Sequence, residues 1–360
     1  MYNRSYNFSA GPATMPVPVL EEIRDEILNY RGAGMGVMEM SHRSKVYQQI
    51  IDEAEQDLRD LMGIPDNYRV LFIQGGATLQ FAMIPMNLMK NGKAVYVETG
   101  AWSKKAISEA KKYGEVIVAA SSKDKNYSYI PDCSDLDIPE DADYVYICEN
   151  ETIHGTTWQT LPNTKGKILV SDQSSMFLSK PCNVSDYGMI YAGVQKNVGP
   201  AGMVVVIIRE DLIRDDLDNL PIYMQYKTHA DAGSMYNTPN CWAIYCCGKV
   251  FKYLKNLGGL EVMNKMNQEK AKVLYDFLDS SEMFTGTVEK EVRSLMNVPF
   301  VTASKELDAE VVKATKAAGY DNLKGHKSVG GLRASIYNAM PKEGVEALVD
   351  FLRKFEAEHK

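Results

Sequence analysis

Short apolar runs alternate with amphipathic segments through the first two thirds of the chain. The amphipathic segments have the period of a helix, and the apolar runs have the length of a strand. Strands are predicted at 70–73, 94–97, 116–119, 144–148, 168–170 and 203–208. The last run has no polar residue at alternate positions, so it is expected to be buried on both faces. Strands that alternate with helices predict an α/β fold with a mostly parallel, doubly wound sheet flanked by helices.

The pattern changes near residue 257, after a helix that begins near Trp242. A second helix is predicted at 260–278, and single strands and helices follow it at 298–301, 306–318, 332–337 and 342–358. This arrangement predicts a smaller α+β domain at the C-terminal side. We therefore expect a large domain of residues 15–256 and a small domain made of residues 1–14 and 257–360.

Two prolines, at positions 16 and 18, introduce a periodic segment near the start of the chain. Val17, Leu20, Ile23 and Ile27 recur on one side of this segment, which predicts an amphipathic helix with these four residues on its apolar face. The glycine-rich stretch 31–36 follows. It does not come after a strand and open a helix, as a dinucleotide-binding fingerprint does, so we interpret it as a flexible connection.

Composition and charge narrow the class of protein. The 360 residues are 45% hydrophobic and 24% charged, as in an ordinary globular enzyme. The net charge of -7 argues against nucleic acid or an anionic membrane as the main partner. No apolar run approaches the ~20 residues of a membrane helix, and residues 1–10 lack the apolar core of a secretory signal. Six cysteines without a regular framework predict reduced thiols and a cytoplasmic protein, and no His and Cys cluster has metal-ligand spacing.

Lys196 lies between a short apolar run and the Gly199-Pro200 turn, with the apolar run 203–208 directly after it. A lysine in a tight connection between two core strands loses hydration, which favours the neutral amine. A neutral amine can form a Schiff base with an aldehyde. The alternative is an ordinary surface lysine beside a turn, and position alone leaves that alternative open.

Asp172 comes directly after the apolar run 168–170, and a second polar stretch, 149–155, follows the strand before it. Both stretches are therefore expected at the carboxyl edge of the sheet, where open α/β sheets bind ligands. A carboxylate in that position needs a partner if it is ionised. A pyridinium N–H would serve, and so would a structural arginine.

A glycine turn and a tryptophan also lie in loops that directly follow predicted strands. Gly75 and Gly76 join a strand to the helix predicted at 79–89, a geometry in which free backbone N–H groups can face a phosphate. Trp102 stands in the next loop between a strand and a helix, where its ring can stack on a bound aromatic group. Close packing of strand and helix would explain the glycines equally well, and core packing would explain the tryptophan.

Together, a lysine, a carboxylate, a phosphate site and a stacking ring meet the needs of pyridoxal phosphate (PLP). The residues alone leave three alternatives. A cysteine desulfurase would need a reactive cysteine, and Cys133 and Cys182 lie in loop-like sequence. A dinucleotide-dependent oxidoreductase would need a glycine fingerprint after the first strand, which is missing. A protein that carries PLP without turnover would need no substrate site.

Five longer motifs resemble those of the phosphoserine aminotransferases, a class V group of the fold-type I PLP enzymes. They lie at 7–12, 38–43, 150–155, 191–197 and 330–340, and the resemblance extends over essentially the whole length. It implies a PLP-dependent transaminase of serine biosynthesis that moves an amino group from glutamate to 3-phosphohydroxypyruvate. Some members of the family also act on the four-carbon phosphorylated analogue used in pyridoxine biosynthesis.

The resemblance also implies roles for single residues. Lys196 would bind the cofactor aldehyde and move the substrate proton, Asp172 would pair with the ring nitrogen, and Trp102 would stack on the ring. The other implied cofactor contacts are Thr152 at the phenolic oxygen, Ala77, Thr78 and Gln195 at the phosphate, and Asn237 and Thr238 from a second subunit. The implied substrate contacts are Ser9, His42, Arg43, His326, Lys327 and Arg333. Because both chains contribute, a homodimer with shared active sites is implied.

Two positions depart from the family pattern. Lys327 stands where relatives often have arginine, and Thr78 stands where some relatives have arginine. A lysine offers a point charge in place of the bidentate guanidinium fork, so looser or more water-dependent phosphate binding is expected at position 327. The implied cofactor site is not affected by either change.

Overall fold

The structure is a computed structural model that describes residues 2–359, so the predicted domain ends at positions 1 and 360 lie outside the described residues. Its strands are β1 (Tyr6–Asn7), β2 (Tyr68–Gln74), β3 (Lys93–Glu98), β4 (Glu115–Ser121), β5 (Tyr144–Cys148), β6 (Ile168–Asp172), β7 (Met189–Gly193), β8 (Met203–Arg209), β9 (Thr285–Gly286), β10 (Asn297–Val301), β11 (Tyr320–Asp321) and β12 (Leu332–Ser335). Its helices are α1 (Val17–Glu26), α2 (Lys45–Met62), α3 (Ala77–Leu88), α4 (Ala101–Ala110), α5 (Tyr226–Asp231), α6 (Cys241–Leu257), α7 (Gly259–Ser280), α8 (Lys305–Ala317) and α9 (Lys342–Glu358).

The central sheet has seven strands in the order β2-β8-β7-β6-β5-β3-β4. The pairs from β7 to β4 are parallel, and β8 is antiparallel to both of its neighbours. The connection between β7 and β8, residues 194–202, is too short for the crossover that a parallel pair requires, so β8 returns beside β7 in the opposite direction. The predicted α/β fold with a mostly parallel mixed sheet is confirmed.

Helices cover both faces of this sheet. Along β2, Val70 and Phe72 join one hydrophobic core with α2 and α6, while Leu71 and Ile73 join a second core with α3 and α4. The side chains of β8 are buried on both faces up to Ile208, as the lack of polar alternation predicted. The short helix α5 and the two-residue strands were not predicted, because each is too short for its pattern to recur.

The apolar face predicted for the first helix was partly wrong. Val19 and Ile23 are buried, whereas Val17 is 38% exposed and Ile27 is 37% exposed. Helix α1 packs against α6, and its buried residues are a pair one turn apart, Val19 and Ile23. Val17 is the first residue of the helix and Ile27 lies just beyond its last residue, so neither reaches that contact.

A third hydrophobic core lies outside the central sheet. The antiparallel strands β12, β10 and β9 form a small sheet that α7 and α9 cover. Phe8 from the start of the chain is buried in this core, and β1 pairs with β11 beside it. The strands and helices predicted beyond residue 257 are confirmed. Within residues 2–359, no helix is both long enough and apolar enough to cross a membrane.

Candidate active site

A cavity of about 310 Å³ lies at the carboxyl ends of β2, β5 and β6 and at the connection after β7. This edge is where parallel sheets of this kind bind ligands. Predicted site residues that line the cavity are Ala77, Thr78, Trp102, Thr152, Asp172, Gln195, Lys196, His326 and Arg333. Gly76, from the turn predicted to face a phosphate, also lines it. The lining residues that were given no role from the sequence are Ala10, Gly11, Cys148, Asn150, Ile153, Ser174 and Ser175.

Lys196 lies in the connection between β7 and β8, and only 9% of it is exposed. Its Nζ donates a hydrogen bond to Thr152 Oγ1 at 2.6 Å and lies 5.5 Å from the centre of the Trp102 ring. Burial lowers the pKa of Lys196 from its ordinary value, and the nearby acid Asp172 opposes this shift in part. The structure thus places a dehydrated amine inside the cavity, where the neutral form is favoured.

Asp172 is the last residue of β6, and its carboxylate is buried. Its Oδ1 accepts the backbone N–H of Ser174 at 2.8 Å, and its Oδ2 accepts the hydroxyl of Tyr191 at 3.0 Å. The described ion pairs include none with Asp172, so no arginine or lysine neutralises it within 4.0 Å. A protonated ring nitrogen in the cavity would supply the missing positive partner.

Trp102 lies in the first turn of α4, and its position depends on the buried Glu151. Glu151 Oε2 accepts the backbone N–H of Trp102 at 3.1 Å, and Oε1 accepts from Ser103 N at 3.0 Å and Ser103 Oγ at 2.7 Å. The indole N–H of Trp102 is buried and has no hydrogen-bond partner in the described residues. A bound group with an acceptor atom would satisfy this donor.

The start of α3 supplies backbone donors to the cavity. Gly76 occupies the N-cap position without a side-chain cap, and Ala77 and Thr78 are the first helical residues. The first N–H groups of a helix have no partner within the helix, and its N-terminus favours an anion. Gln195 lies across the same cavity. These donors fit a phosphate group.

Arg333 and His326 form the basic side of the cavity. Arg333 Nη1 donates to the backbone oxygen of Thr152 at 3.3 Å, and Arg333 Nε is buried without a partner in the described residues. Burial lowers the pKa of Arg333 from its ordinary value, and burial together with the Arg333 charge lowers the pKa of His326. An anionic ligand would satisfy the free donor and offset the unpaired charge.

Six predicted residues do not line this cavity: Ser9, His42, Arg43, Asn237, Thr238 and Lys327. Ser9 lies next to Ala10, which does line it, and Lys327 is exposed. The backbone oxygen of Thr238 accepts Gln74 Nε2 at 2.5 Å, near the end of β2. Arg43 is exposed, and His42 has a buried Nε2 without a partner in the described residues.

Glu151 and Tyr191 are the contacts that sequence reasoning missed. Both were quoted within motifs, at 150–155 and 191–197, and neither was given a role. Their partners lie 49 and 19 residues away along the chain, so no local spacing indicates the contact. A buried carboxylate beside a predicted strand end was the one available signal, because a buried acid must find donors.

The two cysteines considered for desulfurase chemistry are poor nucleophiles in this structure. Burial raises the pKa of Cys133 to about 12 and that of Cys182 to about 12. A thiol of that kind is almost entirely protonated near neutral pH, and the thiolate is the reactive form. Neither cysteine lines the cavity. Among residues 2–359, no group of three or more His, Cys, Asp or Glu side chains could hold a metal ion.

The arrangement fits a planar heterocycle that carries an aldehyde and a phosphate. The aldehyde would meet Lys196, the ring nitrogen Asp172, the ring face Trp102, and the phosphate the start of α3. The buried donors without partners, Trp102 Nε1 and Arg333 Nε, support an occupied cavity over an empty one. A lysine of this kind next to an electron-accepting ring is suited to moving a proton at a substrate carbon.

Comparison with known proteins agrees with this geometry. The family model described as aminotransferase class V matches residues 5–348. The chain is 53% identical over 354 residues to the phosphoserine aminotransferase of Listeria innocua, covering 98% of this chain and 96% of that one. The structure of phosphoserine aminotransferase from Bacillus circulans subsp. alkalophilus aligns with a TM-score of 0.98 at 46% identity, covering 100% of both chains. The PLP-bound phosphoserine aminotransferase of Trichomonas vaginalis aligns with a TM-score of 0.89 at 40% identity, covering 96% of this chain and 99% of that one.

Proposed function

The chain belongs to the class V aminotransferase family, and we propose on that premise that it transfers an amino group reversibly from L-glutamate to 3-phosphohydroxypyruvate. It is a PLP-dependent transaminase with small-molecule substrates, and the products are 2-oxoglutarate and O-phospho-L-serine, a step of serine biosynthesis. One observation carries the proposal. Lys196, Asp172, Trp102 and Arg333 line a single cavity in a chain that matches phosphoserine aminotransferases over nearly its full length.

The cofactor contacts follow from the cavity lining. Asp172 would hold the ring nitrogen, Trp102 the ring face, and Thr152 the phenolic oxygen. Ala77, Thr78 and Gln195 would hold the phosphate through the donors at the start of α3. When bound, PLP supplies an electron-accepting ring that stabilises negative charge at the substrate α-carbon. Proton transfer and the binding of the substrate's anionic groups depend on side chains of the protein.

Lys196 acts as the base and the acid. Its Nζ would move a proton between the substrate α-carbon and the cofactor: from the α-carbon of glutamate to the cofactor in the first half-reaction, and from the cofactor back to the α-carbon of the new amino acid in the second. Burial lowers the pKa of Lys196, so a neutral amine is available closer to working pH than for an exposed lysine. Thr152 Oγ1, 2.6 Å from Nζ, holds the amine on the cavity side of the connection.

The anionic groups of the substrate require local recognition, because the net charge of -7 repels anions at long range. Arg333 and His326 would bind a carboxylate or phosphate from within the cavity. We assign Ser9, His42, Arg43 and Lys327 to the same anion site, although a single chain does not bring them to the cavity lining.

We propose that a second copy of the chain completes the site. Large apolar side chains close in the chain to the residues that it would contribute are exposed: Met38, four positions before His42, is 63% exposed, and Tyr236, next to Asn237, is 46% exposed. Exposed apolar groups of this size are typical of a protein interface. A homodimer that buries them would bring the anion ligands and the Asn237-Thr238 phosphate contact from the partner.

Two further assignments belong to the proposal. We propose the large domain at 15–256 and the small domain at 1–14 and 257–360, which is supported by Phe8 packing into the core formed by residues 271–355. We also propose that the protein works in the cytoplasm, which is supported by its six cysteines, all of them free thiols.

Half-reaction spectroscopy tests the proposed function. Glutamate alone should convert the absorbance of the bound aldehyde to that of the amine form, and 3-phosphohydroxypyruvate should restore it far better than pyruvate. Borohydride reduction should attach the cofactor to the peptide that contains Lys196. A variant that lacks an exposed lysine of α7, Lys272→Ala, should be labelled like the wild type. Release of sulfide from cysteine without any response to glutamate would contradict the proposal.

A further inference from the structure

The carboxylate of Asp172 is held by a neighbouring strand as well as by its own loop. Asp172 on β6 and Tyr191 on β7 are direct partners in the parallel register. The Tyr191 hydroxyl donates to Asp172 Oδ2 at 3.0 Å, and the Ser174 N–H donates to Oδ1 at 2.8 Å. Each carboxylate oxygen therefore has one protein donor and keeps lone pairs for a ligand in the cavity.

A second tyrosine supports the first. The hydroxyls of Tyr146 and Tyr191 are 2.7 Å apart. A phenol has a single hydrogen, and that of Tyr191 is used on Asp172, so Tyr146 is the donor in this contact. The hydrogen bonds therefore run in one direction, from Tyr146 to Tyr191 to Asp172. Both tyrosines are fully buried, and burial raises the pKa of each phenol well above its ordinary value, so both stay protonated.

We propose that Tyr191, supported by Tyr146, is a positioning residue that keeps the proton shared by Asp172 and the cofactor on the ring nitrogen. A donor on Oδ2 stabilises the charged carboxylate and makes it a weaker base toward that proton. The protonated ring is the better electron acceptor. This inference rests on the proposed function, because it assigns Asp172 to the ring nitrogen.

The same core contains a matched pair of tyrosines that lacks this connection. The hydroxyls of Tyr96 and Tyr144 are 2.8 Å apart, and both side chains are fully buried on the same face of the sheet. Neither hydroxyl bonds to Asp172. If the tyrosine pairs had only a structural role, loss of a hydroxyl from either pair would have the same effect on the cofactor. If Tyr191 positions Asp172, only the Tyr146–Tyr191 pair affects the ring nitrogen.

The experiment compares Tyr191→Phe, Tyr146→Phe and Tyr144→Phe, each of which removes one buried hydroxyl and keeps the ring. The readout is the ¹⁵N NMR signal of bound PLP labelled at the ring nitrogen. We expect Tyr191→Phe to move the signal toward the unprotonated position, Tyr146→Phe to move it less in the same direction, and Tyr144→Phe to match the wild type. The rate of the glutamate half-reaction should fall about tenfold in Tyr191→Phe, the order of one hydrogen bond to a charged group.

An unmoved ¹⁵N signal in both Tyr191→Phe and Tyr146→Phe would overturn the inference, and so would an equal shift in Tyr144→Phe. Tyr146→Phe leaves the Asp172 contact in place, so it tests the inference even if Tyr191→Phe does not fold. Thermal unfolding of the three apoproteins serves as the stability control, and similar losses are expected. If the wild type does not react with glutamate but the three variants show the expected order of ¹⁵N shifts, the proposed amino transfer is wrong and the inference about Tyr191 still holds.

Discussion

The carboxylate of Glu151 accepts the backbone N–H of Trp102, with 3.1 Å between Oε2 and N, although the two residues lie 49 positions apart. Glu151 is fully buried, and its other oxygen binds Ser103 twice, so it closes the N-terminal end of α4. An anion is stabilised at that end of a helix. The orientation of Trp102 over the cavity therefore depends on a side chain from the loop after β5.

Replacement of Glu151 by Gln should make the orientation of Trp102 over the cavity less well fixed. An amide offers one acceptor oxygen in place of two, so at least one buried N–H loses its partner, and the free energy of unfolding should fall by about 1–3 kcal/mol. Quenching of Trp102 fluorescence by added PLP should weaken, measured with Trp158→Phe and Trp242→Phe in the background. Glu149→Gln is the matched control, since buried Glu149 contacts Ser171, Gln173 and Tyr187 instead. Equal quenching in Glu151→Gln and the wild type would contradict the assigned role.

Arg333→Ala should weaken binding of the phosphorylated substrate much more than binding of the cofactor. Loss of one charge-assisted hydrogen bond predicts a KM for 3-phosphohydroxypyruvate about 10–100 times higher. The visible absorbance of bound PLP should stay close to that of the wild type. The KM of Arg333→Lys should lie between those of the wild type and Arg333→Ala, because a point charge replaces the guanidinium fork. The exposed Arg353 on α9 provides the control substitution, Arg353→Ala. Equal losses in cofactor absorbance and KM would count against an anion-binding role.

Mixed dimers test whether active sites are shared. Lys196→Ala and Arg43→Ala should each be inactive alone. If Arg43 serves the partner's cavity, random reassembly should restore about a quarter of wild-type activity, because half of the dimers are mixed and each has one intact site of two.

The control for this experiment mixes Lys196→Ala with Arg333→Ala. Both residues line the same cavity of one chain, so no mixed dimer has an intact site and no activity should return. Native mass spectrometry reports whether mixed dimers form. Shared active sites would be rejected if activity returned in the control mixture. They would also be rejected if the Lys196→Ala and Arg43→Ala mixture formed mixed dimers without regaining activity.

Lys270 predicts a pH dependence of stability. Its Nζ is buried and donates to the backbone oxygens of Tyr337 at 2.7 Å and Met340 at 3.1 Å, and burial lowers its pKa to about 7. Between that value and the ordinary 10.5, the unfolded chain binds a proton that the folded protein does not. The free energy of unfolding should therefore rise with pH across this window, by up to about 1.4 kcal/mol per pH unit from this group.

Denaturant unfolding of the apoprotein at fixed concentration measures this slope. The slope of the wild type should exceed that of Lys270→Met, in which the titrating group is gone. Lys272→Met is the reference variant, because it removes an exposed lysine of the same helix. Identical slopes in the wild type and Lys270→Met would show that the buried amine does not titrate in this window.

Much of the fold follows from local pattern. The runs that form β5 and β8 were recognised because a strand buried on both faces shows no polar alternation over five or six residues. The position of Lys196 between two such runs favoured a dehydrated amine and left an ordinary surface lysine open, and the burial of Lys196 decides between them. Trp102 was singled out from its place between a strand and a helix, whereas Arg333 was named only from a motif of the family resemblance and not from geometry.

The tertiary structure decided which side chains meet. Strand register made Tyr191 the partner of Asp172, and the loop after β5 brought Glu151 to the start of α4. It also decided that Val19, and not Val17, faces the core, because the buried side of α1 depends on where α6 lies. Hydrophobic periodicity reports burial over a few neighbouring residues. Hydrogen-bond partners far apart in sequence depend on chain reversal and register, which no single segment encodes.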